Sequence, residues 1–114
     1  MSQVVVDVAG EGGLAATASG AVAAHLGDAF VAARDAMVAA APGDGVLLRC
    51  TTVDSPALTG ALTSLCRSLA REAAAHGVRV NAILATPEAD VDDLVAFLGG
   101  PSGTMCTGAV LEAV

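Results

Sequence analysis

Four short runs rich in β-branched and other apolar residues punctuate the chain: VVVDVAG (4–10), VLLRC (46–50), VRVNAILA (78–85) and GAVLEAV (108–114). Runs this poor in polar residues suit strands covered on both faces. The stretches between them are too long for hairpin turns and suit helical crossovers. The order β-α-β-α-β-α-β predicts an α/β fold with a four-stranded parallel sheet and right-handed connections. No repeat, linker or low-complexity tail interrupts the pattern, so one domain spanning 1–114 is expected.

The helical stretches carry their own punctuation. Val22 to Ala40 places Leu26, Phe30 and Met37 at helical spacing with Ala between them. APGDG (41–45) is a stop-and-turn signal. Ser55 followed by Pro56 reads as an N-cap with Pro at the first helical position, and that helix runs to His76 with Gly77 closing it. Thr86–Pro87 repeats the signal and predicts a short helix through EADVDDLVAFLG, whose early carboxylates suit the positive end of the helix dipole. EGGLAATASG (11–20) reads as a loop or a frayed helix start, and PSGTMCT (101–107) as a loop.

Composition narrows the chemistry. Apolar residues make up 54% of the chain and aromatics 2%, so small side chains must pack an extended core. The chain has no Lys, Tyr or Trp, which excludes a Schiff base, a lysine phosphate clamp or a tyrosine acid from its own side chains. A formal charge of −7 with five scattered Arg argues against nucleic acid or an anionic membrane as partner. Cys50, Cys66 and Cys106 form no CxxC pair and read as free thiols in a reducing cytoplasm. The run from Gly20 to Ala41 is broken by His25, Asp28, Arg34 and Asp35, so it reads as an amphipathic helix and not a membrane span.

A few clusters invite a functional reading. Thr51, Thr52, Asp54 and Ser55 stand at the carboxyl end of a strand, where open α/β sheets collect ligands. Such a cluster also caps the helix that follows. GEGG (10–13) could cradle phosphate at a helix start through Gly10, Gly12 and Gly13, or serve as a flexible loop. His25 and His76 fall on different elements with no partner at metal-ligand spacing, and Arg67 and Arg71 lie one turn apart on an exposed-looking helix face.

ALTSLCRSLAREAAAHGVRVNAI (61–83) and DVDDLVAFLGGPSGTMCTGAVLEAV (90–114) resemble the helix-then-strand and closing segments of short-chain dehydrogenases/reductases. HLGDAFVAARDAM (25–37) is similar to that family's central interface helix, and VVVDVAG to its strand ending in NNAG. The likeness implies the second half of a Rossmann-like three-layer fold, without the strands that carry the cofactor loop. On this resemblance the family's active-site Tyr falls on Ser55, its Lys on Thr59, its Ser on Thr52 and its helix Asn on His25. Hydride transfer needs a phenol of lowered pKa, a cation to lower it and a nicotinamide in reach, and an alkyl hydroxyl is too weak an acid to replace the phenol. The resemblance therefore implies no catalytic residue, no bound cofactor and no metal.

With catalysis set aside, association is the expected role, as a homodimer or as a structural or regulatory subunit of a larger reductase-type enzyme. Leu58, Leu62, Leu65 and Leu69 form a stripe at helical spacing, Phe30, Arg34 and Met37 form another, and Ala61 is among small residues allowing close approach. The family's helix pair packs on the same pair of a second subunit, which marks these eight residues as a candidate partner face. Val4–Val8 would be an inner strand of the full family sheet, so its outer edge is expected to be open to pairing. The alternative expectation is a small-molecule or nucleotide binder, or an unorthodox oxidoreductase, built on the 10–13 and 51–55 loops.

Overall fold

The computed structural model describes residues 2–9, 13–51 and 55–113. Its strands are β1 (Gln3–Ala9), β2 (Gly45–Thr51), β3 (Arg79–Ala85) and β4 (Val110–Ala113). Its helices are α1 (Gly13–Ala18), α2 (Ala21–Ala39), α3 (Pro56–Ala73) and α4 (Asp92–Gly99), with 3-10 turns at Ala74–His76 and Pro101–Gly103. The sheet order is β1-β2-β3-β4 and every pairing is parallel, as the alternation of strand and helix predicts. Successive strands lie in step: Gln3 pairs with Gly45, Gly45 with Arg79 and Ala82 with Val110.

Side chains alternate across this sheet, so each strand feeds two cores. On one face Val6, Val8, Val46, Leu48, Cys50, Val80 and Ala82 meet α2 and α3. On the other, Leu47 and Ile83 meet Val91 and Leu98 at α4. Ala29 and Ala33 of α2 are buried, which lets that helix lie close to the strands.

Three local expectations need correction. Thr86–Pro87 does not open the last helix: it makes a turn, with the Ala89 N–H donating to the Thr86 carbonyl at 3.1 Å. The helix begins at Asp92, whose backbone N–H donates to the Asp90 carboxylate at 3.0 Å. An acidic side chain nearer the first turn meets the free N–H groups better than a distant Thr. The segment 11–20 contains a helix of six residues, Gly13–Ala18, where a loop or frayed start is expected. Ser55 holds the position before Pro56, yet its side chain makes no capping bond.

The RVN and TG segments acquire physical roles. Arg79, 7% exposed, donates from Nη1 to the Leu98 carbonyl at 2.8 Å and the Gly103 carbonyl at 2.9 Å. A buried cation thus stands at the negative end of α4 and ties it to β3. Asn81 donates to the Cys106 carbonyl and accepts from the Ala109 N–H, both at 3.0 Å, which fixes the approach to β4. Gly108 turns that approach with φ +71°, and a Cβ on Gly103 would overlap the Phe97 carbonyl.

Candidate functional site

The carboxyl edge of a parallel sheet is where ligands and reactive groups are normally presented. In this sheet the last register row reads Ala9, Thr51, Ala85 and Ala113 across all four strands. Three alanines and one threonine offer no acid, base or strong nucleophile. The row behind it is Val8, Cys50, Leu84 and Glu112. Cys50 is 1% exposed and burial pushes its thiol up, away from the reactive thiolate.

Ser55 and Thr59, at the start of α3, face the same limit. Ser55 is 4% exposed and its Oγ has no hydrogen-bond partner among the described residues. Thr59 Oγ1 donates to the Ser55 carbonyl at 3.2 Å, so it is held by the turn beneath it. Among the described residues neither hydroxyl is hydrogen-bonded to a base that could remove its proton. Of the other positions in the expected cluster, Thr51 ends β2, while Thr52 and Asp54 lie outside the described residues. Gly10 and Gly12 also lie outside them, and Gly13 is the first residue of α1.

His25 stands on α2, away from the start of α3 that carries Ser55 and Thr59. It lines a groove of about 270 Å³ with Val6, Asp7, Val8 and Ala9 of β1 and Asp28 of α2. His76 is exposed and lines a separate cavity of about 380 Å³ with Arg34, Met37, Val38 and Glu72, at the far ends of α2 and α3. Among the described residues no three of His, Cys, Asp and Glu gather closely enough to hold a metal ion. Cys66 is fully buried in α3 and burial pushes its thiol up to about 11, so it behaves as a core residue.

The predicted partner face divides in two. Leu58 and Leu62 are 0% exposed and Leu69 is 3% exposed: all three pack into the core over the sheet. They cannot be surface contacts, because the heptad-like stripe of α3 is the face that covers β2 and β3. Leu65 and Met37 are half-buried at the rim of that core, and Ala61 is half-buried beside them. Phe30 is 41% exposed, and Arg34 is exposed and paired with Asp35 at 3.1 Å.

Two residues that the stripe reading omits belong with this face. Val31 is 44% and Val38 is 83% exposed. Seven residues apart, they fall on one side of α2 next to Arg34, and that spacing is visible in the sequence. The outward surface of α2 thus carries Phe30, Val31 and Val38, together with the Arg34–Asp35 pair and the exposed Asp28. A helix apolar on its outer as well as its inner face is usually covered. The outer face of α3 differs: Arg67, Ser68, Arg71 and Glu72 are exposed.

A polar link of another kind crosses the sheet on the α4 side. Arg49 of β2 forks onto Asp7 of β1, with Nε 2.6 Å and Nη2 3.0 Å from the two carboxylate oxygens. This hydrogen-bonded fork holds the Asp7 carboxyl below its ordinary value.

Among the described residues no helix is long and apolar enough to cross a membrane. A comparison with curated proteins returns no match. Among solved structures, BdcA (YjgI) from E. coli is similar, with a TM-score of 0.77 and 24% sequence identity. The likeness covers 98% of this chain and 60% of BdcA, so the chain spans less than two thirds of that protein. At this identity it speaks for the fold. Residues 10–113 match the SDR-like family, described as short chain dehydrogenase-like protein. Matched over nearly its whole length, and carrying the RVNA and TG segments in the roles just described, the chain belongs to that SDR-like family.

Proposed function

We propose that this chain is a non-catalytic member of its family that acts by association, as a homodimer or as a structural or regulatory subunit of a larger reductase-type enzyme. The observation that carries the reading is the Ala9–Thr51–Ala85–Ala113 row at the carboxyl edge of the sheet, with Ser55 and Thr59 beside it. Those side chains cannot pass the proton that carbonyl reduction requires, and the chain has no Lys or Tyr to bring from elsewhere. The outward face of α2, with Phe30, Val31 and Val38 exposed, supports association as the role that remains. Arg34, Met37, Ala61 and Leu65 stand at its margin towards α3.

Two measurements test this. Titrating the protein with NADH and NADPH while following nicotinamide fluorescence should give no saturable signal, and no carbonyl substrate should be reduced. Sedimentation of Phe30→Glu should show weaker self-association than the parent chain, with unchanged circular dichroism. Turnover with a dinucleotide would overturn the non-catalytic reading. A parent chain that stays monomeric, and that binds no reductase-type subunit in mixed sedimentation, would overturn the association reading.

A further inference from the structure

β1 is an edge strand among the described residues, pairing with β2 and no other strand. Edge strands are normally guarded by Lys, Pro, a bulge or an inward charge. β1 has none of the first three: its register with β2 runs unbroken from Gln3 to Ala9, and QVVVDVA contains neither Lys nor Pro. Its single charge, Asp7, stays a carboxylate and is held by the fork from Arg49. α1 packs chiefly on α2 and α3.

The backbone direction of the edge can be worked out. The Gly45 N–H donates to the Ser2 carbonyl at 2.8 Å, so residue 2 points its peptide groups at β2. Peptide groups alternate along a strand, hence Val4, Val6 and Val8 also point inwards and Gln3, Val5, Asp7 and Ala9 point out. The outward residues carry their side chains on the α4 face. The inward ones carry theirs on the α2 face, where Val4 remains 48% exposed. Above Val4, Val6 and Val8 lie two open grooves against α2, of about 270 and 260 Å³. The helix flank over the Val4 groove is made of Ala32, Ala36, Ala39 and Ala40, which leaves room for a neighbouring helix, while His25 and Asp28 stand with Ala29 over the Val6–Val8 groove.

We infer that β1 pairs antiparallel with β1 of a second copy about a two-fold axis through Val6, joining two sheets into one of eight strands. The strand is self-complementary in that register. Val4 stands opposite the partner's Val8 and Val6 opposite the partner's Val6, so the α2 face closes with β-branched pairs. Val5 stands opposite the partner's Asp7, and Gln3 opposite the partner's Ala9. Both are hydrogen-bonded pairs, giving about eight new backbone bonds. Sliding the register by two towards the carboxyl ends would set the two Asp7 carboxylates face to face, which like charges disfavour. Sliding it the other way leaves outward peptide groups unpaired. A seven-residue edge with a helix flank is small for an interface, so a dimer in the micromolar range is expected. This contact is separate from the outward face of α2, and one can fail without the other.

Analytical ultracentrifugation of the 114-residue chain at about 100 µM should show a dimer. Val5→Pro removes an outward N–H that serves no bond among the described residues, and Val4→Lys places a charge on the valine row. Each should raise the dissociation constant at least about tenfold with circular dichroism unchanged. The register is read by oxidative cross-linking: Val4→Cys mixed with Val8→Cys should form a covalent dimer above the background of the parent chain. Neither should do so alone, because like positions then lie about 13 Å apart along the strands. If Val5→Pro fails to fold, Val4→Lys and the cross-link decide. A monomeric parent chain overturns the proposal, and so does absence of the mixed cross-link whatever the mass. A dimer that survives both edge variants but falls apart with Phe30→Glu assigns association to α2 and overturns the edge.

Discussion

Leu62 is the position where two readings of the same helix part most clearly. As a partner-face residue it would stabilise an oligomer; the structure sets it at 0% exposure in the core between α3 and the sheet. Leu62→Ala removes three carbons from a site with no route to water. At about 0.8 kcal/mol per buried methylene the transfer loss alone is about 2.4 kcal/mol. The cavity left between a helix and two parallel strands can close only partly, which brings the expected cost to about 3–4 kcal/mol. A chain of this size holds on the order of 10 kcal/mol, so about a third of its stability should go. Thermal unfolding should fall by about 10–15 °C, and the urea midpoint should drop with an unchanged slope. The loss should be the same at low and high protein concentration, because the contact is internal. A loss below about 1 kcal/mol, or one that grows on dilution, would refute the core assignment and return Leu62 to an interface.

Ser55→Ala should be neutral or slightly stabilising in urea unfolding, since its Oγ is buried without a partner among the described residues; a loss of about 1 kcal/mol would show a cap after all. Arg79→Ala should cost about 3 kcal/mol and speed hydrogen exchange in Asp92–Gly99, because the Leu98 and Gly103 carbonyls lose their buried donor; unchanged exchange in that helix would remove Arg79 from the role of its clamp. Asp7 and Asp44 both titrate below the ordinary 3.8, Asp7 through its fork with Arg49 and Asp44 through the N–H groups of Ala41 and Ser2. A depressed carboxyl stabilises the fold above its unfolded value and loses that contribution as pH falls through the folded one. Thermal stability should therefore drop below about pH 4, and less steeply in the Asp7→Asn, Asp44→Asn double variant; parallel profiles would contradict the assignment.

The strand runs were legible because both sheet faces are covered: VLLRC and VRVNAILA are mostly apolar, with buried residues such as Leu47, Leu48, Ala82 and Ile83 falling on both faces, as buried parallel strands need. The helices were legible at their stops more than at their starts. Gly77 adopts φ +70° and closes the α3 segment as expected, whereas Thr86–Pro87 offers the letters of a helix start without the geometry, which Asp90 supplies nearer α4. The partner face was half legible. Helical spacing shows that Leu58, Leu62 and Leu69 share a side of α3, but periodicity gives no sign as to which side faces the sheet. The row Ala9–Thr51–Ala85–Ala113 could not be read at all from one sequence, because it depends on strand register, which is set by packing.

The in-step parallel pairing also has a kinetic consequence. Gln3 meets Gly45 and Gly45 meets Arg79, so each strand pair closes a loop that includes a whole helix. Among the described residues no hairpin starts the sheet cheaply, and loop-closure entropy must be overcome before any ladder forms. The nearest long contact is α3 folding back on β3 through the turn at Gly77, which makes that pair the natural nucleus. β1 then joins from the far side of the longest crossover, late in folding. Until it docks, its seven apolar-rich residues are free to meet the same strand of another chain, and refolding yield should fall as protein concentration rises.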